Sequence, residues 1–310
     1  MQGILTSGAE FIVWLQQFQT PLGNEIFELI TSFGGSSYLY MIPLVVWCVD
    51  YRTGLQLLAV FSITVFVNTT LKTLISQPRP FQLDPRVISR GEDGYGLPSG
   101  HAQLVVVFWG VIARWVGNPW FWTLCVVLMA AIGFSRIYLG VHFPSDVIAG
   151  WALGAATLWA FASHGDRAIA AIRRHDLGAR IGLSLALGAA LFVADVLLVG
   201  DAERLNAGAA GFIAGAGSGA AIAVRRLAFD GRGPGWQRAL RYLVGMAVML
   251  PMLGAMRELG APSGIAGKAV IALDLAALGL WLTLGAPWLF ERVRLATPRA
   301  AVADEAPATS

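Results

Sequence analysis

Long apolar runs recur along almost the whole chain and limit what it can fold into. Hydrophobic residues make up 56% of the 310 residues and charged residues only 13%, a composition outside the range of soluble globular domains. Nine runs have about the length that a helix needs to cross a hydrocarbon core. They cover residues 37–50, 56–75, 100–117, 119–138, 146–163, 181–199, 207–224, 239–256 and 269–290. Because backbone polar groups must be satisfied inside lipid, the sequence predicts an all-α polytopic transmembrane helical bundle of about nine spans.

The segment before the first run has a different pattern. Between about residues 8 and 33, apolar side chains recur at helical spacing, with Gln and Glu on the other side and Pro21 as a break. This pattern predicts an N-terminal interfacial amphipathic segment made of two half-helices. A helix buried in the bundle fits the same spacing.

Three short polar motifs interrupt the apolar sequence. They read Lys72-x6-Arg79-Pro80, Pro98-Ser99-Gly100-His101 and Ser135-Arg136-x5-His142-x3-Asp146. Cations cluster where there is an anion to hold, and a His with an acid partner is typical of a nucleophile or a proton carrier. Any one piece alone is usually chance, but the full set in this order indicates one functional site.

The motifs resemble the signature of the type 2 phosphatidic acid phosphatase (PAP2) superfamily, which also includes glucose-6-phosphatases and vanadium haloperoxidases. Every fixed position of that signature is matched, within roughly residues 60–155. The resemblance implies that the three motifs form one phosphate pocket. It also implies phosphoryl transfer through a phosphohistidine, with no metal and no other cofactor.

Phosphate spreads its charge over several oxygens, so a pocket needs donors from different directions. Arg79 and Arg136 can each bond two oxygens with a planar fork, and Lys72 offers a point charge, although snorkelling to the interface also explains Lys72. Ser99 is a candidate N-cap of the third span, and Gly100 lets an anion approach the free amides there. The predicted phosphate-binding residues are Lys72, Arg79, Ser99, Gly100 and Arg136.

The two motif histidines receive different predicted roles. His142 and Asp146 are four residues apart across a helix start, so the carboxylate can accept from one imidazole nitrogen and leave the other facing phosphorus. We therefore predict His142 as nucleophile and Asp146 as its partner, while an acid in the first turn also stabilises the helix dipole. His101 is predicted to protonate the leaving alcohol and then to activate water. Its alternative role is to cap an interfacial helix.

Composition and motifs divide the chain into five regions. We expect an interfacial segment at 1–36, a catalytic transmembrane core at 37–163, an Arg-rich cytoplasmic loop at 164–180, an additional four-helix region at 181–290 and a disordered tail at 291–310. The four-helix region has no recognisable chemistry. Completing the bundle, shaping a lipid entry path and providing an oligomer face are its three open roles.

Two further patterns lie within the predicted spans. Gly211, Gly215 and Gly219 form a small-residue ridge, which predicts close helix contacts. Asp195 and Asp274 are acids inside apolar runs. Such acids are either functional or satisfied by an internal partner.

The basic residues predict the orientation of the chain. With nine spans and the N-terminus outside, one set of loops collects most of the 22 Lys and Arg residues. The positive-inside rule places these loops and the C-terminus in the cytoplasm, and all three motifs at the extracytoplasmic face. Topology and headgroup contact account for these charges, so no nucleic-acid partner is expected. The bias towards Arg, Ala and Gly suggests a bacterial protein and hence the bacterial inner membrane.

These features predict a membrane phosphatase that hydrolyses a phosphate monoester or diphosphate at the extracytoplasmic face. The expected partners are membrane lipids and a phosphorylated lipid substrate: phosphatidic acid, a phosphoglycerol lipid or a polyprenyl diphosphate. A sugar-phosphate hydrolase similar to glucose-6-phosphatase is the alternative enzyme. A transporter or flippase of a phosphorylated ligand is the alternative class, although binding alone needs no pair such as His142 and Asp146. The sequence leaves the oligomeric state open.

Overall fold

The computed structural model describes residues 2–89, 91–200, 204–258 and 263–296, and every regular element in them is helical. The helices are α1 (Gln2–Gln16), α2 (Pro21–Ser32), α3 (Tyr38–Cys48), α4 (Tyr51–Ile75), α5 (Pro80–Leu83), α6 (Gly100–Val116), α7 (Pro119–Tyr138), α8 (Pro144–Arg173), α9 (Leu177–Leu198), α10 (Leu205–Arg226), α11 (Gly235–Glu258), α12 (Gly264–Leu280) and α13 (Ala286–Arg292). A π-helical stretch, Trp281–Gly285, joins α12 to α13. The all-α prediction is confirmed for the described part of the chain.

Seven helical segments in the described residues are long and apolar enough to cross a membrane. Two further helices coincide with predicted spans but are shorter: α3 has 11 residues and α6 has 17. A straight span needs about 20 residues. The predicted number of nine spans therefore stays a prediction.

The N-terminal region forms two helices, divided where Pro21 predicts a break. Pro21 occupies the start of α2, where its missing N–H costs no hydrogen bond. Ile12 of α1 is fully buried, whereas α2 has no buried residue and exposes Leu22, Ile26 and Leu29. The interfacial position of this region stays a prediction.

The stretch 164–180, predicted as a cytoplasmic loop, is helical over most of its length, and its cytoplasmic position stays a prediction. Helix α8 continues to Arg173, and α9 begins at Leu177. The stretch 164–173 contains no Pro and is rich in Ala and Arg, which are good helix formers. The helix therefore extends past the end of the apolar run. The predicted tail at 291–310 starts within α13, and residues 297–310 lie outside the described part of the chain.

Small residues allow the closest helix contacts, as the Gly pattern predicts. Gly211 and Gly215 of α10 face the backbone of α12, and Gly150 and Gly154 of α8 face the backbone of α6. In each case a Cβ atom would clash with a backbone atom of the facing helix. The contact between α6 and α8 brings the second and third motifs together.

The C-terminal helices dock against α3 and α4. Trp47 Nε1 donates to the carbonyl oxygen of Leu282 at 2.9 Å, and Asn206 Nδ2 donates to Thr70 Oγ1 at 3.0 Å. One hydrophobic cluster contains buried residues of α3, α4 and α6 together with residues of α11, α12 and α13. The predicted catalytic core and the C-terminal helices therefore share one interior.

Candidate active site

The three sequence motifs meet at one end of the bundle. They are carried by the last turn of α4, the loop before α5, the start of α6, the last turn of α7 and the start of α8. Pro80 and Pro144 begin α5 and α8, where proline is well tolerated. Helix ends therefore supply most of the site, as the motif positions predict.

His142 and Asp146 form a buried pair. His142 Nδ1 lies 3.3 Å from Asp146 Oδ2, and the two side chains are 1% and 0% exposed. The carboxylate also accepts from Gln77 Nε2 at 2.7 Å and from the backbone N–H of Phe143 at 3.0 Å. Three donors thus fix the carboxylate, and a proton on Nδ1 leaves the other imidazole nitrogen as an acceptor.

The second imidazole nitrogen faces a buried arginine. Arg79 Nη1 lies 3.4 Å from His142 Nε2 and donates to the Val141 carbonyl oxygen at 3.0 Å. Arg79 Nε and Nη2 donate to the carbonyl oxygens of Gly94 and Asp93 at 3.0 and 2.9 Å. The guanidinium is therefore held firmly beside the imidazole, and the 92–94 loop uses much of the fork that the sequence assigns to phosphate.

A carboxylate that the motifs do not include lies between the two arginines. Glu92 Oε2 is 3.2 Å from Arg79 Nη1 and makes a close ion pair with Arg136 Nη2. Its side chain is 33% exposed, whereas the two arginine side chains are 2% and 6% exposed. An internal anion thus occupies donors that would face a phosphate oxygen.

The remaining cations keep unused donors. Arg136 Nη1 donates to Thr31 Oγ1 at 2.8 Å, and among the described residues its buried Nε has no hydrogen-bond partner. Lys72 Nζ donates to the carbonyl oxygen of Tyr95 at 2.7 Å, which leaves further ammonium hydrogens. The Lys72 ammonium lines the cavity, so its remaining hydrogens can bind an anion without breaking the bond to Tyr95.

The start of α6 brings two of its three predicted site residues to the cavity. Gly100 and His101 line the cavity, whereas Ser99 is fully buried and its Oγ accepts from the Ala102 N–H at 3.5 Å as the N-cap. The His101 ring lies against the turn after α2. A Cβ atom on Gly35 would be only 2.8 Å from His101 Nε2.

The electrostatics of the site keep the His142 imidazole neutral. Burial lowers the pKa of His142 well below its ordinary value, and the positive charges of Lys72, Arg136 and Arg79 lower it further. A neutral imidazole has the lone pair that a nucleophile needs.

The site opens into a cavity of about 640 Å³. Lys72, Arg79, His101 and His142 line its polar end, together with Glu92. Within the described ranges, no three His, Cys, Asp or Glu side chains gather as a metal site would require. The metal-free and cofactor-free chemistry stays an expectation.

Three residues of the site were missed from the sequence. Gln77 is a polar residue inside the first motif, and its position there is a signal that could have identified it. Glu92 lies in a segment without a recognisable pattern, and Thr31 lies in the N-terminal amphipathic segment, whose spacing indicates a helix but not a site. Only the folded chain brings them to the arginines.

Comparison with known proteins identifies the family. The profile described as PAP2 superfamily matches residues 53–170, and the profile described as PAP2 superfamily phosphatase, transmembrane extension, matches residues 207–298. An undecaprenyl-diphosphatase of Sulfolobus acidocaldarius is 35% identical over 106 residues, which are 33% of this chain and 50% of that protein. Phosphatidylglycerophosphatase B of Bacillus subtilis is 33% identical over 150 residues, which are 43% of this chain and 71% of that protein.

Among solved structures, similarity extends to the crystal structure of a transmembrane PAP2 type phosphatidylglycerolphosphate phosphatase from Bacillus subtilis. It is 23% identical, with a TM-score of 0.48, and the match covers 54% of this chain and 88% of that one. The matches to the two profiles and to the Bacillus subtilis relative, together with the apolar helices, show that this chain is an integral membrane protein of the PAP2 superfamily.

Proposed function

We propose that this protein is a membrane lipid phosphatase that hydrolyses a phosphate monoester or diphosphate through a phosphohistidine intermediate. One observation carries the proposal: a cationic site with a buried, neutral His142 lies at the end of a cavity whose remaining walls are mostly apolar. A molecule with phosphate at one end and hydrocarbon at the other matches both parts. The family match supports phosphatase chemistry.

In the first half-reaction, the substrate phosphate replaces the Glu92 carboxylate between Arg79 and Arg136. Lys72 and the backbone N–H of Gly100 complete the set of donors. His142 Nε2 attacks phosphorus, so that a P–N bond forms while the ester P–O bond breaks.

The proton balance of this step uses two further groups. The bound phosphate anion stabilises a protonated His101, which takes its proton from solvent and donates it to the leaving alkoxide, or to the leaving phosphate oxygen of a diphosphate. Asp146 accepts the hydrogen bond from His142 Nδ1 and stabilises the positive charge that the ring gains. Ser99 contributes by holding the start of α6.

In the second half-reaction, water hydrolyses the phosphohistidine. His101, now neutral, takes a proton from the attacking water, while the P–N bond breaks and the electron pair returns to His142 Nε2. Inorganic phosphate leaves, and Glu92 returns to the arginines. The cycle then starts again from the neutral imidazole.

The orientation is part of the same proposal. The site end of the bundle faces the extracytoplasmic side of a bacterial inner membrane, and the Arg-rich ends, including Arg173 of α8 and Arg225 of α10, lie in the cytoplasm with the C-terminus. Arg173 and Arg225 lie in the last turns of α8 and α10, and α8 begins at the site end, so the positive-inside rule supports this arrangement.

Two alternatives are less well supported. A sugar phosphate would need hydrogen-bond partners for its hydroxyl groups, and the cavity beyond the cations is lined mainly by apolar side chains. A transporter would need no oriented nucleophile, but Gln77, Phe143 and His142 all bond to the Asp146 carboxylate.

The test is phosphate release by purified protein from a panel of compounds in detergent micelles. The panel contains phosphatidic acid, phosphatidylglycerol phosphate, a polyprenyl diphosphate and glucose 6-phosphate. We expect release from at least one lipid phosphate, its loss in His142→Ala, and an acid-labile phosphoryl adduct on the wild type. His164→Ala, an exposed histidine far along α8, is the matched control. Release from the sugar phosphate alone, or an active His142→Ala, would overturn the proposal.

A further inference from the structure

The cavity that begins at the cationic site is walled on its far side by the C-terminal extension, by which we mean the helices α9 to α13. Three helices of the extension contribute: Ala209 and Phe212 of α10, Met249 and Leu253 of α11, and Leu275 and Leu278 of α12. All six side chains are apolar. The same cavity reaches Lys72, Arg79 and His142 at its other end.

The cavity is long, and the polarity of its lining changes along α4. Its α4 lining runs from Lys72 back to Leu58, which is about 21 Å along the helix axis at 1.5 Å per residue. One leaflet of a bilayer has a hydrocarbon depth of about 15 Å. Asn68 lies near the polar end, whereas Val65 and Phe61 line the part beyond it. The lining is therefore polar where it meets the cations and, apart from Ser62, apolar along the roughly 15 Å of α4 beyond Asn68, about the depth of one leaflet.

The far wall is fixed to the catalytic helices at two levels. Near the cations, Asn206 of α10 donates to Thr70 of α4 at 3.0 Å, and both side chains are buried. At the other end, the Trp47 indole N–H donates to the Leu282 carbonyl oxygen at 2.9 Å. These bonds hold the extension at set distances from α4 and α3, so the cavity keeps its width.

We propose that α10, α11 and α12 form a binding chamber for the hydrocarbon chain of the substrate and so select the lipids that the enzyme accepts. The proposal rests on the proposed phosphatase function. Its occupant is an acyl or prenyl chain that ends in a phosphate monoester or diphosphate, because only such a molecule fills both the cationic and the apolar end. The volume of about 640 Å³ is within the range of about 300–1,000 Å³ that ligand sites have.

The test compares two substrates in each variant, hexadecyl phosphate and phenyl phosphate, by the ratio of their kcat/KM values. Ala209→Trp fills the chamber, and we expect the ratio to fall about tenfold or more, since a small mismatch in an apolar pocket has effects of that size. Phe212→Ala widens the chamber and removes apolar contacts to the hexadecyl chain, so the same ratio should fall by about threefold or more. Ala186→Trp, the same change at an exposed position of α9, is the matched control and should leave the ratio within about twofold of wild type.

The outcomes separate the chamber from the phosphatase function. If the wild type releases no phosphate from any compound, the proposed function fails. If the wild type is active but neither Ala209→Trp nor Phe212→Ala changes the ratio, the chamber is wrong and the cavity holds only bulk membrane lipid. Phe212→Ala decides the matter alone if Ala209→Trp does not give monodisperse protein on size-exclusion chromatography.

Discussion

Both halves of this bundle bury charged side chains, but they compensate the charges differently. In the C-terminal extension, Lys268 Nζ lies 2.6 Å from Asp195 Oδ2, and the two side chains are 2% and 0% exposed. That pair is neutral as a unit. In the half that carries the three motifs, Arg79 and Arg136 share one partly exposed carboxylate, Glu92, and among the described residues Lys72 forms no ion pair.

The difference separates a charge pair that is neutral by itself from a cluster that we propose binds a phosphate. A buried ion pair satisfies its own charges and contributes mainly through the penalty for breaking it. A buried cluster with more cations than paired carboxylates is not neutralised within the protein, so it favours the binding of an anion. The sequence left Asp195 as either functional or internally paired, and the structure confirms an internal partner, Lys268. Five experiments test this difference between the two charge clusters.

The largest effect is expected at the catalytic carboxylate. Asp146→Asn keeps the shape of the side chain but no longer holds the His142 proton on Nδ1. We therefore expect kcat to fall by about 10⁴-fold, as it does when other catalytic histidines lose the carboxylate that orients them. Phosphate release under saturating substrate measures it. A fall of less than tenfold would place Asp146 among purely structural helix-capping acids.

The corresponding change in the extension should affect stability instead. Asp195→Asn leaves Lys268 buried without its counter-charge, so the unfolding free energy should fall by about 3–5 kcal/mol. Thermal unfolding in detergent measures the loss, and the double variant Asp195→Leu with Lys268→Met should recover most of it. If kcat per folded molecule falls a hundredfold in Asp195→Asn, the contrast between the two charge clusters is wrong.

The geometry of the arginine fork should matter next. Arg136→Lys keeps the charge but loses the planar donors that face Thr31 and Glu92, and kcat/KM should fall about a hundredfold. Arg114→Lys, an arginine at the opposite end of α6, is the control. Equal activity of wild type and Arg136→Lys would show that the site needs only a point charge.

A smaller effect of opposite sign is expected at Glu92. Glu92→Gln removes the anion that competes with substrate for Arg79 and Arg136, so inorganic phosphate should inhibit about three to ten times more strongly. Asp84→Asn is the control, because Asp84 bonds to Arg86 on the surface. Weaker inhibition in Glu92→Gln would mean that the carboxylate helps to build the site.

The smallest effect is a pH dependence of stability. The pKa of His142 is lowered on folding, so below about pH 6.5 the unfolded chain binds a proton that the folded chain does not. The unfolding free energy should then fall by up to about 1.4 kcal/mol per pH unit as the pH drops below 6.5. Above pH 6.5, His142 should contribute no pH dependence. The unfolding free energy should differ less between pH 7 and pH 5.5 in His142→Ala than in wild type. An identical pH dependence would contradict a buried neutral imidazole.

The helices were predicted well where an apolar run has clear limits and less well where it does not. Pro21 marked the division between α1 and α2, and the Gly residues at 211 and 215 marked a close contact with α12. The end of α8 was misplaced because Ala and Arg continue a helix in water as readily as in lipid. Hydropathy predicts where a helix leaves the hydrocarbon core, but it does not predict at which residue the helix ends.

The membrane bundle and the set of motif residues follow from the amino-acid sequence alone. Lipid leaves few ways to satisfy a backbone, and a phosphate site needs a fixed combination of cations and histidines. The folded chain was needed to place Glu92 between the arginines and to bring Gln77 and Thr31 to the site. It was also needed to show that α10–α12 line the cavity. These are contacts between segments far apart in the chain, and they depend on helix packing that local patterns do not encode.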